Sequence, residues 1–487
     1  MSSQLILYSF LAYTLLLFVI ARITSRKSGN EAFFLGNRRS PWYVVAYGMI
    51  GASLSGVTFI SVPGWVGDTQ FSYMMVVLGY VLGYFVIANV LLPVYYKLKL
   101  TSIYTYLEQR FGYYSYKTGA FYFLLSRIIG ASFRMFLVIN VLQIFVFDEL
   151  NIPFYITVCL FMLLIILYTY KGGIKTIVWT DTLQTTFMLL AVVICIKLII
   201  DDLGVDFGQM VKQIYYSDYS KILVTDVLDK GFYLKQFLSG AFIAIVMTGL
   251  DQDMMQKNLS CKNIKDAKKN MISLSFVLLI VNLLFLSLGA MLYIYAKEKG
   301  ICIPDLTDNL FPTIALKYIG PFAGIVFIIG LISAAYSSAD SALTSLTTSF
   351  SVDILQVHKK NISEKRKIKN RKLVHFGMAF VLIMVIICFQ EINNQAVISK
   401  LFTIAGYTYG PLLGMFAFGL FTKLNLKDKY VPIIALLSPL FCYVLSDNSM
   451  QWFNGYKFGF ELLIINGIFT FIGLLIISIK LKNKKLI

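Results

Sequence analysis

Apolar stretches of bilayer length recur from one end of this 487-residue chain to the other, and nothing else constrains its fold as much. In lipid every backbone amide and carbonyl needs an internal partner, so only helices or a closed barrel can span. A spanning helix takes about 20 residues and a barrel strand about half that. The stretches are of helical length. We expect an all-α polytopic membrane protein of about thirteen transmembrane helices, at 4–22, 42–66, 71–97, 118–147, 153–170, 175–200, 235–256, 271–296, 319–350, 373–390, 396–422, 430–446 and 459–480. The composition agrees, with 58% hydrophobic and 14% charged residues, where soluble domains carry about a quarter charged.

The loops test that count. Arg22, Arg26, Lys27, Arg38 and Arg39 follow the first span, and Lys97, Lys99, Arg110 and Lys117 follow the third. Lys257, Lys262, Lys265, Lys268 and Lys269 are assigned to the loop after the seventh, and "HKKNISEKRKIKNRK" follows the ninth. The loops around "GDTQ" and "DELNIP" have no Lys or Arg. Basic loops mark the cytoplasmic side. The N-terminus is therefore expected outside and the C-terminal "KLKNKK" inside, in the plasma (inner) membrane. Segments 201–234 and 297–318 carry a few lysines on the outer side, which long loops tolerate. The net charge of +18 then belongs to short loops and not to a nucleic-acid surface. Leu5 to Ile20 has no basic residue before it, so it reads as a retained span and not a cleaved signal. No soluble domain is expected at either end, which argues against a receptor kinase or a tethered enzyme.

Six scattered cysteines show no metal spacing or disulfide framework, and the two histidines, His358 and His375, sit at or beside a basic loop. No nucleophile–histidine pairing stands out, so no enzyme is expected.

Two spans carry the marks of a broken helix. The second, "VAYGMIGASLSGVTFISVPGW", crowds Gly48, Gly51, Gly56, Ser53, Ser55 and Thr58 together. Glycine weakens helix, and Ser/Thr capture freed backbone groups. The segment is either unwound near Ser53–Gly56 or packed closely against a neighbour. Five spans later, "FLSGAFIAIVMTGLDQDMM" has Gly240, Thr248 and Gly249 before Asp251 and Asp253. Five is an odd number, so the two run in opposite directions. Paired interruptions of this kind point to an inverted-repeat transporter with a midplane site. Asp251 and Asp253 are expected at the inner interface, solvated.

"SAAYSSADSALTS" (Ser333 to Ser345) adds a polar strip. Ala334, Ser337, Ser338, Ser341 and Ser345 share one helical face. Such a strip is either a packing seam with hydroxyls bonded to the preceding turn or a set of oxygen ligands for a hard cation. Asp340 beside it exceeds what packing needs, because an acid within a span is costly. A second acid, Asp181 in "GGIKTIVWTDTLQTTFM", lies in the first two turns of its span near Gln184. It is either a helix-start acid favoured by the macrodipole or a buried functional group.

These stretches together resemble the sodium:solute symporter family. "GGIKTIVWTDTLQ" is similar to its Gly-Gly…Trp-Thr-Asp signature, "AAYSSADSAL…SVDI" to its eighth core helix, "GASLSGVTFISVPG" to its broken first core helix, and "YLEQRFG" to the loop after the second. The resemblance covers nearly the whole chain. It implies a leucine-transporter-like fold with a five-plus-five inverted repeat and broken first and sixth core helices. Residues 1–487 would form one transporter domain: an additional helix and basic loop (1–40), the core (41–424) and C-terminal helices (425–487).

The resemblance also implies Na+ as coupling ion. The shared sodium site matches the carbonyls of Gly51, Leu54 and Ala334 and the hydroxyls of Ser337 and Ser338. A second sodium site, present in some members, matches Asp181, Asp340 and Ser341, with Ser337. Asp340 stands where those members commonly have serine. For the solute, the matching positions are Ser55, Thr58, Tyr73, Val77, Arg134, Ala244, Met247 and Thr248. Val77, Thr58, Ala244 and Met247 depart from the sugar-transporting pattern. Ser55, Thr58 and Arg134 suit sialic-acid members, with Arg134 as a bidentate clamp on a carboxylate. Otherwise an arginine here, Arg127 or Arg134, would pair with Asp251 or Asp253 or snorkel to the interface. The expected activity is sodium-coupled import of a small organic solute, a sugar acid or other carboxylate ahead of a neutral sugar or amino acid. A transport-inactive sensor or passive channel on the same scaffold is the alternative. The expected partners are the solute and the lipid bilayer, with no nucleic acid and no obligate protein partner.

Overall fold

The computed structural model describes residues 3–24, 30–357, 362–391 and 397–479. His358 and the C-terminal "KLKNKK" lie outside these. The major helices are α1 Ser3–Thr24, α2 Trp42–Thr69, α3 Tyr73–Lys97, α4 Tyr113–Phe147, α5 Phe154–Gly172, α6 Ile174–Leu203, α7 Tyr233–Gly249, α8 Gln252–Leu259, α9 Ile264–Glu298, α10 Pro321–Ile354, α11 Glu364–Gln390, α12 Val397–Phe421, α13 Val431–Asp447 and α14 Leu462–Ile476. Besides helices, the described residues hold one pair of two-residue strands, Asn425–Leu426 against Ser478–Ile479.

Among the described residues, 10 helices are long and apolar enough to cross a membrane, or up to 11 if α7 and α8 form one span bent by 64°. The expected spans at 153–170 and 459–480 correspond to the shorter apolar helices α5 and α14. α14, at 15 residues, is too short for a bilayer crossing, and α5, at 19, is near crossing length but is not among the 10, so the expected thirteen is not reached by length and apolarity alone.

Burial separates the helices into an inner set and a lipid-facing set. The most apolar window of α2 is 89% buried and that of α10 is 78%, against 28% for α1 and 22% for α13. A helix apolar on all sides can lie in the interior or face lipid; here α2 is interior, enclosed by α6, α9 and α10. α7 lies along α3, and α12 lies between α4 and α14. The α3–α7 contact depends on paired glycines. A Cβ on Gly79 would meet the Phe237 carbonyl at 2.1 Å, and one on Gly240 would meet the Val76 carbonyl at 2.1 Å. Small residues permit such backbone approach, which is how helices associate where hydrophobic burial gives no net drive.

Candidate functional site

α2 is interrupted at Ser55, whose φ of 52° and ψ of 175° leave the helical region. That falls within the expected Ser53–Gly56 window, and unwinding and close packing both hold there. The last turn before the break, Gly51–Leu54, and the first turn after it lose their regular helical partners. Gly51 stands where α6 and α10 meet α2. A Cβ on it would lie 2.4 Å from Thr185 Oγ1 and 3.2 Å from Ser337 Oγ. Its amide donates to Thr185 Oγ1 at 3.1 Å.

α10 brings the polar strip to the same place. The hydroxyls of Ser333, Ser345, Thr347 and Thr348 donate to carbonyls of the preceding turn. Ser338 donates to the Ala334 carbonyl at a long 3.3 Å. The hydroxyls of Ser337, Ser341 and Thr344 are buried with no hydrogen-bond partner. The packing-seam reading therefore accounts for part of the strip only. A buried unpaired hydroxyl costs ~1–3 kcal/mol, so helix packing alone does not account for three together. The structure brings Gly51 against Ser337, with Ala334 and Ser338 on the same face of α10.

The two acids expected near Ser341 are both fully buried. Asp181 sits against α2, with its Cβ 3.0 Å from where a Gly48 Cβ would be. Its Oδ2 lies 2.7 Å from Lys257 Nζ, and both side chains are 1% exposed. Asp340 Oδ2 accepts from the Tyr168 hydroxyl at 2.9 Å and from Gln184 Nε2 at 3.5 Å. Lys257 thus corrects the sequence reading, which placed it in a basic loop. The 64° bend before α8 turns this short helix back into the bundle, so its lysine points inward. The signal that could have found it is its position inside the helical run "QDMMQKNL", before the loop begins.

The expectation of solvated, interfacial acids at Asp251 and Asp253 also fails, for the same geometric reason. Both are fully buried. Arg127 contacts Asp253 directly and has Nη1 3.7 Å from Asp251 Oδ2. Asp251 Oδ2 accepts from the Tyr409 hydroxyl at 2.5 Å, while Oδ1 caps α8 by accepting from the amides of Asp253 at 2.8 Å and Met254 at 3.4 Å. The carbonyls of Gly249 and Leu250, freed at the bend, accept from Tyr95 at 2.9 Å and Tyr104 at 3.0 Å.

Beside the α2 break lies a narrow cavity of about 80 Å³. Ser55, Thr58, Tyr73, Arg134, Ala244, Met247 and Thr248 all line it; Val77 is buried but is not part of the wall. Tyr80, Tyr84, Asn282 and Phe402 also line it and were missed. Tyr73, Tyr80 and Tyr84 are spaced 7 and 4 apart, one face of a helix, and that spacing was the available signal. Tyr80 bonds Tyr73 at 3.0 Å, and Tyr84 bonds Thr248 at 3.3 Å. Arg127 and Arg134 both reach the wall, but they differ. Arg127 is ion-paired. Among the described residues no acid pairs with Arg134, and its Nε has no hydrogen-bond partner.

The two ends of the cavity are closed differently. At one end, Trp65, Tyr73, Phe402 and Phe460 form a single aromatic layer, with ring centroids 4.9–6.3 Å apart. Beyond it is an open vestibule lined by Asp68, Lys230 and Gln236. At the other end stand the Arg127–Asp251–Asp253 cluster and the capped bend.

Comparison with known proteins matches this geometry. The model of the sodium:solute symporter family matches residues 33–427. The chain is 26% identical over 446 residues to the sodium/sialic acid symporter SiaT of Proteus mirabilis, covering 86% of this chain and 84% of that protein. It is 24% identical over 470 residues to the sodium/sialic acid symporter NanT of Aliivibrio fischeri, covering 91% and 88%. A solved Na+-coupled sialic acid symporter in a substrate-bound outward-open state superposes with a TM-score of 0.83 at 22% identity, over 98% of this chain and 99% of that one. That likeness shows a common fold, the leucine-transporter-like inverted repeat, with α2 and the α7–α8 pair as its broken helices. On the match of the family model over most of its length, the chain belongs to the sodium:solute symporter family.

Proposed function

We propose that this symporter carries a small organic carboxylate, a sugar acid of the sialic acid type first among them, inward with sodium. The observation that carries the solute class is Arg134: a guanidinium without an acidic partner, in the wall of the cavity, near the hydroxyls of Ser55 and Thr58. A cation in this setting is costly unless something completes it. A substrate carboxylate does so through two parallel hydrogen bonds. Two curated relatives are sodium/sialic acid symporters, which supports the same class.

Sodium binds between the broken α2 and α10, on the carbonyls of Gly51, Leu54 and Ala334 and the hydroxyls of Ser337 and Ser338. Irregular backbone within a membrane is permitted where it lines such a site. The ion holds the two helices together at the edge of the cavity and so favours the state that accepts solute; this differential affinity is what couples the two. The aromatic layer faces the outside, with the N-terminus on that side, and the Arg127 cluster faces the cytoplasm. The repeat core spans residues 41–424.

The test is uptake of radiolabelled N-acetylneuraminate into proteoliposomes under an inward sodium gradient. Uptake unchanged when choline or potassium replaces sodium would end the coupling. Arg134→Lys should weaken uptake of the acid about tenfold or more, since a bidentate pair exceeds ~1.4 kcal/mol. A variant that loses nothing would remove the carboxylate from Arg134.

A further inference from the structure

The region matching the family's second sodium site already contains a cation. Asp181, the acid that site depends on, has Lys257 Nζ 2.7 Å from its Oδ2, and neither side chain is more than 1% exposed. Among the described residues this one contact alone engages the ammonium, which carries three donors. The buried Ser337 hydroxyl neighbours Asp181, and the buried Asp340, with its free Oδ1, is near both Asp181 and Lys257. Lys257 reaches it from α8, the inward-turned half of the second broken helix.

From this geometry we infer that the Lys257 ammonium is a tethered cation filling the second ion position, so that the protein binds one sodium ion and not two. This rests on the sodium-symport reading above. A sodium ion on Asp181 would have to share one carboxylate with an ammonium in a water-excluded pocket. Like charges repel strongly there, because little solvent screens them. A carboxylate paired within 3 Å also has less of its charge left to attract a second cation. Asp340 takes part differently. Its Oδ2 is held by two neutral donors, Tyr168 and Gln184, which fix it on the α6 side of α10. Among the described residues it has no ion pair, and the family resemblance puts it where members with a second sodium site commonly have serine. The lysine and the second acid thus lie at one buried place, with Asp181 between the ammonium and α2.

The consequence reaches the transport cycle. A mobile second ion leaves with each turnover, whereas a tethered ammonium stays with α8. It would tie the position of α8, and the bend before it, to the α6 surface that carries Asp181.

Direct sodium counting tests this without knowledge of the solute. Binding of ²²Na⁺ to the purified full-length protein should saturate at one ion per chain in the wild type. The charge-balanced double variant Lys257→Gln with Asp340→Ser removes one charge of each sign and leaves Asp181 alone. It should saturate at two. Should the double variant fail to fold, Lys257→Gln alone frees Asp181 and carries the same expectation. Two ions in the wild type would overturn the inference, because sodium then binds in spite of the lysine. One ion in a folded variant would overturn it as well, because the lysine is then only a structural ion pair. No sodium bound to the wild type is a separate failure, that of sodium coupling itself.

Discussion

At the bend between α7 and α8 the groups freed by the break have protein partners. Tyr95 and Tyr104 donate to the carbonyls of Gly249 and Leu250, and Asp251 caps the two amides beyond. At Ser55 in α2 the surroundings are different. The Gly51 amide has Thr185 for company, and the nearest hydroxyl of α10, on Ser337, has no partner. The two helices are related positions of an inverted repeat and both are interrupted, yet side chains cap the backbone at one break, and at the other a buried α10 hydroxyl stands beside it without a hydrogen bond. A closed break is a rigid corner. An open break beside unpaired oxygens is where a ligand contributes what the protein withholds. Under the proposed function sodium binds at α2, and the α7–α8 corner holds Arg127, Asp253 and Lys257 in position.

The comparison can be broken most severely at the corner. Arg127→Ala would leave Asp251 and Asp253 buried without their cation, and loss of one partner of a buried pair costs ~3–5 kcal/mol. Thermal unfolding of the purified variant should show a large loss of stability with or without sodium. A small loss would mean that the corner is not rigid. At the open break, Gly51→Ala drives a Cβ to within 2.4 Å of Thr185 Oγ1. Overpacking of that kind costs ~1–3 kcal/mol, and sodium should stabilise this variant less than the wild type. An unchanged sodium response would separate Gly51 from the ion.

Ser338→Ala sharpens the contrast further. Sodium at a hundred times its Kd stabilises a protein by ~2.7 kcal/mol, and a tenfold weaker site forfeits ~1.4 kcal/mol of that. Stability in sodium-free buffer should hardly move, because the bond from Ser338 to Ala334 is long. A wild-type sodium titration would remove Ser338 from the site. Tyr104→Phe is the smallest expected change. It removes one neutral hydrogen bond to the Leu250 carbonyl, worth ~0.5–1.5 kcal/mol. Stability should fall equally in the presence and absence of sodium, and a sodium-dependent difference would show that the corner is part of the ion site after all.

Much of the scaffold was legible in advance because its signals are local. Apolar length gave the helices, and crowding of small residues placed the α2 break within a residue or two of Ser55. The i, i+3, i+4 spacing put Ser337, Ser338 and Ser341 on one face. Seven of the eight expected solute positions line the cavity. Val77 shares the helical face of Tyr73, Tyr80 and Tyr84 but is buried without being part of the wall. Asp251, Asp253 and Lys257 were misplaced together, by one cause. The sequence marks the break before α8 but not the direction in which the chain leaves it.

By itself, then, the sequence determined that this is an all-helical membrane transporter of the sodium:solute symporter family, where its helices break, and which face of α10 is polar. The helices, their breaks and the polar face depend on hydropathy, helical period and backbone propensity, which act over a few residues; the family rests on the motifs the chain shares with it. Only the tertiary structure decided which charges meet. Arg127 and Asp253 are 126 residues apart in the chain, and Lys257 reaches Asp181 from a different helix. A buried charge is tolerated only beside its partner, and no local rule says which of several acids that partner is. The bend before α8 made the choice. It gave Arg127 to the corner, left Arg134 to the cavity, and brought a lysine to the acid where a second ion was expected.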